Sequence, residues 1–540
     1  MRFSRKRSLR GAAAIVAIGV AAVTSSAALA RNDEKACRSL TDLTVDDVTI
    51  LSTNIVESGV GPLPASALRY AKWHDLRPED RPPLPDYCRV RGYVRPAINF
   101  EMRLPVSEWN GKFFMAGCGG FCGEVLPDRP GLSNSINIAL SRNYAVVTTD
   151  AGHWGENAID GVWAYNNRAA ERDWAWRAIP EVSRAAKEII AAFYGRPEDL
   201  FYFSGCSNGG RMAAMAAQRF PDLFDGVLIG APALDWRTLA MHGAWTVHSN
   251  TGADGKPILP PSKVKLIAKA VMNECDAADG AADGLIADPR TCSFDPHSLQ
   301  CKTDNESGSC LTKAETGVLE KWYSGLPDAH GVDWKYNIAF GSEPYWPTWL
   351  TPPAGRKGVM EAYLDNLFSY VLFERDPGPS YSLHDFDLSA YPKALDYMRA
   401  LYRADNPDLD RFRAAGGKAI MWQGWSDPGA VPGAAIGYYE DVVEHAGGKD
   451  QADAFFRLFM VPGAGHCFEA PHQSAERFDP IAALEAWVEK DMAPDRIIAR
   501  QLGADGATIR TRPLCPYPQI ARYSGEGDVD DAENFTCEAP

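Results

Sequence analysis

The sequence predicts an α/β fold in which a mostly parallel sheet carries helices on both faces and is interrupted by one long insertion. Short apolar runs alternate with helical patterns in the first half of the chain, stop near residue 234, and resume near residue 411. This alternation is typical of parallel sheets whose crossover helices cover both faces. Because the alternation stops and later resumes, we expect a single sheet that the chain leaves at the insertion and rejoins after it.

Six segments before the interruption support this prediction. Continuous apolar runs predict buried strands, and apolar residues recurring every three or four positions predict helices. The strands are Lys112–Ala116, Tyr144–Thr149, Leu200–Phe203 and Gly226–Ile229, and the helices are Arg172–Tyr194 and Gly210–Phe220. One face of the longer helix carries Trp174, Ala178, Val182, Ala185 and Ile189.

The insertion has a different composition. It is rich in Trp, Tyr, Pro, Gly and Asp, with scattered helical patterns at Pro261–Asn273 and Gly358–Phe373. The strand and helix alternation then resumes with Lys418–Trp422, Ala434–Ala446, Phe455–Met460 and Pro480–Lys490. We therefore expect a sheet domain in two parts, 31–234 and 411–540, and an inserted lid domain at 235–410.

The first thirty residues resemble a targeting segment. Five basic residues precede an uncharged stretch that ends Ala28-Leu29-Ala30; they are Arg2, Arg5, Lys6, Arg7 and Arg10. A basic start, an apolar middle and small residues at the end predict a signal peptide at 1–30, with a membrane anchor as the alternative. We expect a secreted or periplasmic protein without stable membrane association.

The net charge of −15 excludes one class of partner, because an acidic surface repels nucleic acid. Export also places the twelve cysteines in an oxidising compartment, where disulfides persist. The spacing favours four local bridges, at 118/122, 275/292, 301/310 and 515/537. The remaining cysteines then form two longer closures, 37/88 and 206/467. Zinc at Cys118 and Cys122 is the alternative, but no nearby Cys or His pair completes a tetrahedral site.

A nucleophile motif follows the third predicted strand. Gly205-Cys206-Ser207-Asn208-Gly209 is a Gly-x-Ser-x-Gly pattern between an apolar strand and an Ala-rich helix. Small residues permit the sharp turn that exposes a catalytic serine at a helix N-terminus. The helix dipole and the N–H of Asn208 would then stabilise an oxyanion. We predict Ser207 as the nucleophile; a tight structural turn is the alternative.

A glycine-rich loop after the first predicted strand is the candidate for the second oxyanion donor. Its sequence is Gly117-Cys118-Gly119-Gly120-Phe121-Cys122-Gly123. Glycines let backbone N–H groups approach a substrate oxygen closely, and serine hydrolases of the α/β type take a donor from such a loop. We predict Gly119 or Gly120 as the donor, with a plain glycine turn as the alternative. A bridge between Cys118 and Cys122 would stiffen this loop.

The base and the acid should follow later strands, because triads of this type run in the order Ser, acid, His. Of ten histidines, only His466 and His472 follow a late strand, and His466 lies directly after it on a loop of small residues. Asp427 follows the preceding strand and would accept the imidazole Nδ1–H, with an Asp-Pro turn as the alternative. Cys206 precedes the predicted nucleophile and Cys467 follows the predicted base, so a disulfide between them requires these loops to touch.

These motifs resemble one family. The segments are 205–211 (Gly-Cys-Ser-Asn-Gly-Gly-Arg), 218–221 (Gln-Arg-Phe-Pro), 224–226, 230–233, 424–428 (Gly-Trp-Ser-Asp-Pro) and 465–467 (Gly-His-Cys). They are similar to the tannase and feruloyl esterase family, whose members cleave gallate and hydroxycinnamate esters and include a mono(2-hydroxyethyl) terephthalate hydrolase. The resemblance implies an α/β-hydrolase fold with an inserted lid, the same triad, and every disulfide above except 118/122.

An acidic loop in the insertion is a candidate cation site. Carboxylates and carbonyls on the Gly-bearing segment 275–288 suit a hard cation, although the spacing is not that of an EF-hand. The family resemblance implies structural calcium held by Asp276, Asp279 and Asp283 and by the carbonyls of Ala281 and Leu285. A solvated acidic loop without a cation is the alternative.

The expected activity is hydrolysis of small esters of aromatic acids through an acyl-enzyme. Aromatic residues of the insertion could sandwich the acyl group; they are Trp334, Tyr345, Trp346 and Trp349. Two departures from relatives, Gln423 in place of a frequent His and the small Ala430 in place of an aromatic, argue against transferring the terephthalate activity. The alternatives are a mono(2-hydroxyethyl) terephthalate hydrolase, an amidase or peptidase with the same triad, and a non-catalytic binding protein.

Overall fold

The structure is a computed structural model that describes most of the chain. The described residues are 33–59, 81–129, 133–303, 308–326, 337–388, 393–469 and 474–540. The predicted signal peptide at 1–30, the lid residue Trp334 and the rejected base candidate His472 lie outside these ranges. Among the described helices, none combines the length and apolar character needed to cross a bilayer.

A nine-stranded sheet organises the molecule, in the order β1-β2-β3-β5-β4-β6-β7-β8-β9. Its strands are β1 Val48–Val56, β2 Tyr87–Val94, β3 Ile98–Pro105, β4 Lys112–Ala116, β5 Ala145–Thr149, β6 Leu200–Cys206, β7 Gly226–Gly230, β8 Lys418–Gly424 and β9 Phe456–Val461. The six strands from β5 to β9 along this order are parallel to one another, and β1, β2 and β3 extend the sheet antiparallel. The predicted α/β-hydrolase fold, with a mostly parallel sheet, is therefore confirmed.

Both faces of the parallel strands are buried, which explains their continuous apolar sequences. Along β4, Phe113 packs into one apolar cluster and Phe114 into the other, because successive side chains point to opposite faces of a sheet. Helix Ala178–Tyr194 covers the first face and helix Pro480–Lys490 the second. The sequence analysis missed the antiparallel strands because it relied on continuous apolar runs, whereas in β3 the buried Ile98, Phe100, Met102 and Leu104 alternate with polar residues.

Fourteen α-helices with defined bounds are present among the described residues. They are α1 Asn137–Leu140, α2 Arg168–Arg172, α3 Ala178–Tyr194, α4 Asn208–Arg219, α5 Trp236–Ser249, α6 Val264–Cys275, α7 Lys313–Ser324, α8 Trp346–Trp349, α9 Val359–Tyr370, α10 Lys393–Tyr402, α11 Asp410–Ala414, α12 Pro432–His445, α13 Lys449–Asp453 and α14 Pro480–Lys490.

The predicted helix Arg172–Tyr194 is not one uniform α-helix. A π-helical segment, Asp173–Arg177, separates α2 from α3. The predicted apolar face is nonetheless buried throughout. Inside the π segment, the carbonyls of Trp174 and Ala175 accept hydrogen bonds from Arg211 on α4. A contact from a distant helix thus accompanies the local change of helix type, which periodicity could not show.

The insertion lies between the end of β7 and the start of β8 and adds no strand to the sheet within its described residues. It consists of helices and 3₁₀ turns. The N–H of Ala404 donates to the carbonyl of Leu234 at 2.8 Å, which joins the two ends of the segment. The domain boundaries 235–410 stay a prediction; Leu234 and Ala404 lie close to them in the sequence.

After α14, two antiparallel hairpins complete the chain. They are formed by β10 Ile497–Leu502 with β11 Thr508–Leu514, and by β12 Ile520–Tyr523 with β13 Phe535–Glu538. All twelve cysteines form disulfides, and none is free. The pairs are Cys37–Cys88, Cys118–Cys122, Cys206–Cys467, Cys275–Cys292, Cys301–Cys310 and Cys515–Cys537. These are the six pairs expected from spacing.

Candidate active site

Strand β6 ends in a sharp turn that presents Ser207. The backbone of Ser207 has φ 63° and ψ −124°, a combination that is rare for a residue with a side chain. A Cβ on Gly205 would lie 2.3 Å from the backbone of Gly209, so only glycine allows strand and helix to meet here. Helix α4 starts at Asn208, directly after the serine and two residues earlier than the sequence predicts.

The turn is clamped by a side chain that sequence reasoning missed. The Asn134 amide is buried; its Oδ1 accepts the N–H of Cys206 at 2.9 Å and its Nδ2 donates to the Cys206 carbonyl at 3.1 Å. Both polar groups of that peptide residue are therefore satisfied, which holds the strained turn in place. Asn134 lies in a loop without a motif, so no sequence signal identifies it.

Asp427 and His466 are in direct contact. Asp427 Oδ2 lies 2.7 Å from His466 Nδ1, and the carboxylate is buried. Its other oxygen accepts the N–H groups of Gly429 and Ala430, each at 2.8 Å. Burial alone would lower the pKa of His466, but the neighbouring Asp427 carboxylate outweighs this effect and raises it. The Asp427 carboxylate therefore orients the imidazole and favours its protonated form, as the predicted acid of a triad would.

Gln423 also acts on the acid. Its Nε2 donates to Asp427 Oδ2 at 3.0 Å and to the Ala430 carbonyl at 2.8 Å, and the side chain is fully buried. Its amide NH2 group therefore supports the Asp427 carboxylate, while its Oε1 is buried without a hydrogen-bond partner among the described residues.

A disulfide joins the nucleophile turn to the base loop. Cys206 and Cys467 are bonded, with their Cα atoms 6.0 Å apart, across 261 residues of sequence. Among the described residues, Ser207 Oγ makes no hydrogen bond, so the serine–imidazole bond is not formed here. Such bonds are often long before substrate binds. The loops of the predicted triad are therefore linked here by the Asp427–His466 hydrogen bond and by the Cys206–Cys467 disulfide.

The glycine loop after β4 lies against the start of α4. The Asn208 Nδ2 donates to the Cys118 carbonyl at 3.1 Å, and the Cys118–Cys122 disulfide closes the loop. The backbone N–H groups of Asn208, Gly119 and Gly120 donate to no described residue. Free N–H groups at a helix start and on an adjoining loop are the donors that an oxyanion requires.

Aromatic residues of the insertion contact the loop that carries His466. The Trp349 ring meets the His466 ring edge to face, with centroids 5.2 Å apart, and its Nε1 donates to Glu469 Oε1 at 2.5 Å. Trp346 is fully buried and packs against Trp322, so it does not face an acyl group. Tyr345 also packs against the base loop, where its OH donates to the Gly463 carbonyl at 3.0 Å, and a role of these aromatic residues in holding a substrate stays a prediction.

Glu469 is a second residue that the sequence analysis missed. Its side chain is 4% exposed, and burial raises its pKa to about 8 although the nearby His466 opposes this shift. Its position three residues after the predicted base was the available signal. Burial therefore favours the neutral form of this carboxyl, which joins the base loop to the insertion through Trp349.

The acidic loop of the insertion is folded back on itself by side-chain hydrogen bonds. Asp276 Oδ1 accepts the backbone N–H groups of Asp283 at 3.1 Å and of Gly284 at 2.8 Å. Asp283 Oδ1 accepts the N–H of Leu285 at 3.0 Å, and its other oxygen pairs with Arg512. These carboxylate oxygens accept from protein groups, and calcium at this loop stays a prediction.

Comparisons with known proteins agree on one family. The family model described as tannase and feruloyl esterase matches residues 86–538. An uncharacterised esterase of Xanthomonas campestris pv. campestris is 34% identical over 97% of this chain and 93% of its own. Mono(2-hydroxyethyl) terephthalate hydrolase of Piscinibacter sakaiensis is 32% identical over 89% and 90%. The crystal structure of feruloyl esterase B from Aspergillus oryzae aligns with a TM-score of 0.81 at 26% identity, over 94% of this chain and all of that one.

Proposed function

The chain belongs to the tannase and feruloyl esterase family and is a carboxylic ester hydrolase, and from this premise we propose that it cleaves esters of aromatic acids by a Ser-His-Asp acyl-enzyme mechanism. Ser207 is the proposed nucleophile, His466 the base and Asp427 the acid. The observation that carries the proposal is the Asp427–His466 bond on a loop that a disulfide ties to the residue before Ser207.

In the first half-reaction, His466 Nε2 takes the proton of Ser207 Oγ as the oxygen attacks the ester carbonyl carbon. The carbonyl π electrons move to oxygen, and N–H groups of Asn208 and of Gly119 or Gly120 stabilise this oxyanion. The intermediate collapses, the ester C–O bond breaks, and His466 protonates the departing alkoxide. The products are the alcohol and an acyl-Ser207 ester.

In the second half-reaction, water replaces the alcohol. His466 removes a proton from water, hydroxide attacks the acyl carbon, and the same donors hold the second oxyanion. Ser207 leaves with the proton carried by His466, and the carboxylic acid is released. Asp427 keeps the imidazole in the tautomer that presents Nε2 to the serine, because Nδ1–H is bonded to its carboxylate.

An aromatic acyl group is supported by the surroundings of His466. Trp349 supplies an indole beside the imidazole, and an aromatic face of this kind can stack on a planar acid. Related proteins act on such acids by name, since they include a feruloyl esterase and a mono(2-hydroxyethyl) terephthalate hydrolase. Mono(2-hydroxyethyl) terephthalate is therefore included as an assay substrate, but it is not the substrate that we favour.

Two further proposals accompany the activity. Calcium, held by Asp276, Asp279 and Asp283 and by the carbonyls of Ala281 and Leu285, would stabilise the insertion and would take no part in ester cleavage. The protein is proposed to work outside the cytoplasm, in the periplasm or beyond, because disulfides persist in oxidising compartments. A signal peptide at 1–30 remains the predicted route.

The proposed mechanism is tested by labelling the purified protein with an aryl fluorophosphonate. We expect stoichiometric labelling of the wild type and none of Ser207→Ala. Labelling that survives this substitution would overturn the assignment of the nucleophile. Turnover of methyl ferulate, methyl gallate, chlorogenate and mono(2-hydroxyethyl) terephthalate would then rank the acyl groups, and cleavage of an anilide but of none of these esters would overturn the substrate class.

A further inference from the structure

Arg211 is a buried cation that the mechanism does not use. Its side chain is completely inaccessible to solvent, four positions after Ser207 on helix α4. Nη1 donates to the Ala175 carbonyl at 2.7 Å and to the Tyr402 carbonyl at 3.4 Å, and Nη2 donates to the Trp174 carbonyl at 2.9 Å. Ala175 and Trp174 lie in the π-helical segment. The guanidinium also lies over the Trp174 ring, 4.6 Å from its centroid.

No carboxylate bonds to this guanidinium among the described residues. Burial lowers the pKa of Arg211 to about 10, which leaves it charged at neutral pH. A buried charge without an opposite charge is expensive, and carbonyl dipoles offset only part of that cost. The arrangement is therefore a poor device for stability alone, and its remaining contact becomes informative.

That remaining contact is with the proposed oxyanion hole. Arg211 Nε donates to Asn208 Oδ1 at 2.7 Å. The other end of the same amide, Nδ2, donates to the Cys118 carbonyl at 3.1 Å. In a trans peptide the C=O and the following N–H point in opposite directions, so holding the Cys118 carbonyl fixes the direction of the Gly119 N–H. One amide thus connects the cation to the loop that carries the second donor.

We propose that Arg211 is a positioning residue for the oxyanion hole: its guanidinium holds the Asn208 side chain, which in turn holds the peptide unit between Cys118 and Gly119. This inference rests on the proposed function. The pair makes no contact with substrate; it aligns the Gly119 donor before the reaction begins, and a misaligned donor loses most of its effect on the transition state.

The test uses kcat and KM for 4-nitrophenyl acetate and the rate constant for labelling by an aryl fluorophosphonate, on folded protein checked by thermal unfolding. We expect Arg211→Lys and Asn208→Ala each to lower kcat and the labelling rate about 10- to 100-fold with KM within about threefold, since removing a whole oxyanion donor costs ~10²–10³ in kcat. The double variant should be no slower than the worse single variant, because both changes break one chain of contacts.

Asn208→Asp separates the two halves of the chain of contacts. The carboxylate still accepts from Arg211 but cannot donate to the Cys118 carbonyl, so we expect the same loss of kcat as with Asn208→Ala. The Asn208 variants carry the test if Arg211 variants do not fold. Gln218→Leu is the matched control: Gln218 lies on the same helix and bonds the Arg403 carbonyl, without touching Asn208. It should keep kcat within about twofold.

Unchanged kcat and labelling in both Asn208 variants, multiplicative effects in the double variant, or an equal loss with Gln218→Leu would overturn the inference. Failure of the proposed function looks different. In that case the wild type is not labelled, or Ser207→Ala is labelled equally. A wild type that labels at Ser207 while all position 208 and 211 variants label at the same rate rejects the positioning role alone.

Discussion

The sheet core and the insertion differ in how they place side chains at the site. Ser207, Asp427 and His466 all follow the carboxyl ends of parallel strands, and the pairing of β6, β7, β8 and β9 sets their relative positions. The insertion reaches the site through helix and turn residues such as Trp349, which contact the base loop only through side chains.

This difference separates two tasks. Residues on loops directly after hydrogen-bonded strands are held within a narrow range of positions, which suits atoms that exchange a proton. Side chains on a separate helical segment can change or move without disturbing the sheet, which suits recognition of the substrate. The predictions below test whether chemistry and recognition are divided in this way, starting from the largest expected effect.

Asp427→Asn should damage the chemistry of the core most. An amide at this position no longer selects the productive imidazole tautomer, and the loss in kcat for the equivalent change in a serine protease is ~10⁴-fold. The measurement is kcat for 4-nitrophenyl acetate, with circular dichroism to verify folding. Asp479→Asn, which removes the N-cap carboxylate of α14, should reduce stability and keep kcat. A Asp427→Asn variant that retains more than a tenth of wild-type kcat would contradict the proposed acid.

Replacing Cys206 and Cys467 together by Ser should affect both stability and turnover. The bridge closes a loop of 261 residues, and the chain-entropy relation gives about 5.6 kcal/mol for a closure of that length. Because the bridge also joins the nucleophile turn to the base loop, kcat of the folded protein should fall about tenfold or more. Urea unfolding and kcat per labelled active site provide the two measurements. Unchanged turnover would show that the bridge has no role in alignment.

Replacing Cys301 and Cys310 by Ser is the matched change in the insertion. This bridge spans nine residues, for which the same relation gives about 2.5 kcal/mol. We expect lower stability and kcat within about twofold of the wild type, since the bridge lies outside the proposed site. A loss of turnover as large as that of the 206/467 variant would contradict the proposal that the sheet core carries the chemistry and the insertion the recognition.

Glu469→Gln tests the junction of the two regions through pH. Burial raises the pKa of Glu469 to about 8 from its ordinary 4.5, so the folded protein retains a proton that the unfolded chain releases above pH 4.5. Stability from this group is therefore complete below pH 4.5 and is lost as pH rises toward 8, by at most about 1.4 kcal/mol per unit. Urea unfolding at pH 5 to 8 should show a shallower decline for the Gln variant. Equal slopes would contradict the buried neutral carboxyl.

Much of the fold could be predicted because its signals are local. Buried parallel strands appear as continuous apolar runs, and the elbow appears as Gly205 and Gly209 around Ser207. Cysteine spacing led to the six pairs that the structure contains. The predicted triad remains a prediction, and its support is the Asp427–His466 bond, which the order of strands led us to expect.

Other features depended on the folded chain. Asn134 clamps Cys206 across 72 residues of sequence, Trp349 meets Glu469 across 120, and Arg211 bonds the π segment across 36 or 37. No periodicity or motif encodes these partners, because each contact exists only after whole elements have packed. The sequence by itself determined the buried parallel strands, the elbow and the cysteine pairs, through apolar runs, a glycine motif and the spacing of the cysteines. Only the tertiary structure decided which distant side chains support them, because hydrogen bonds between remote segments follow from the packing of the entire core.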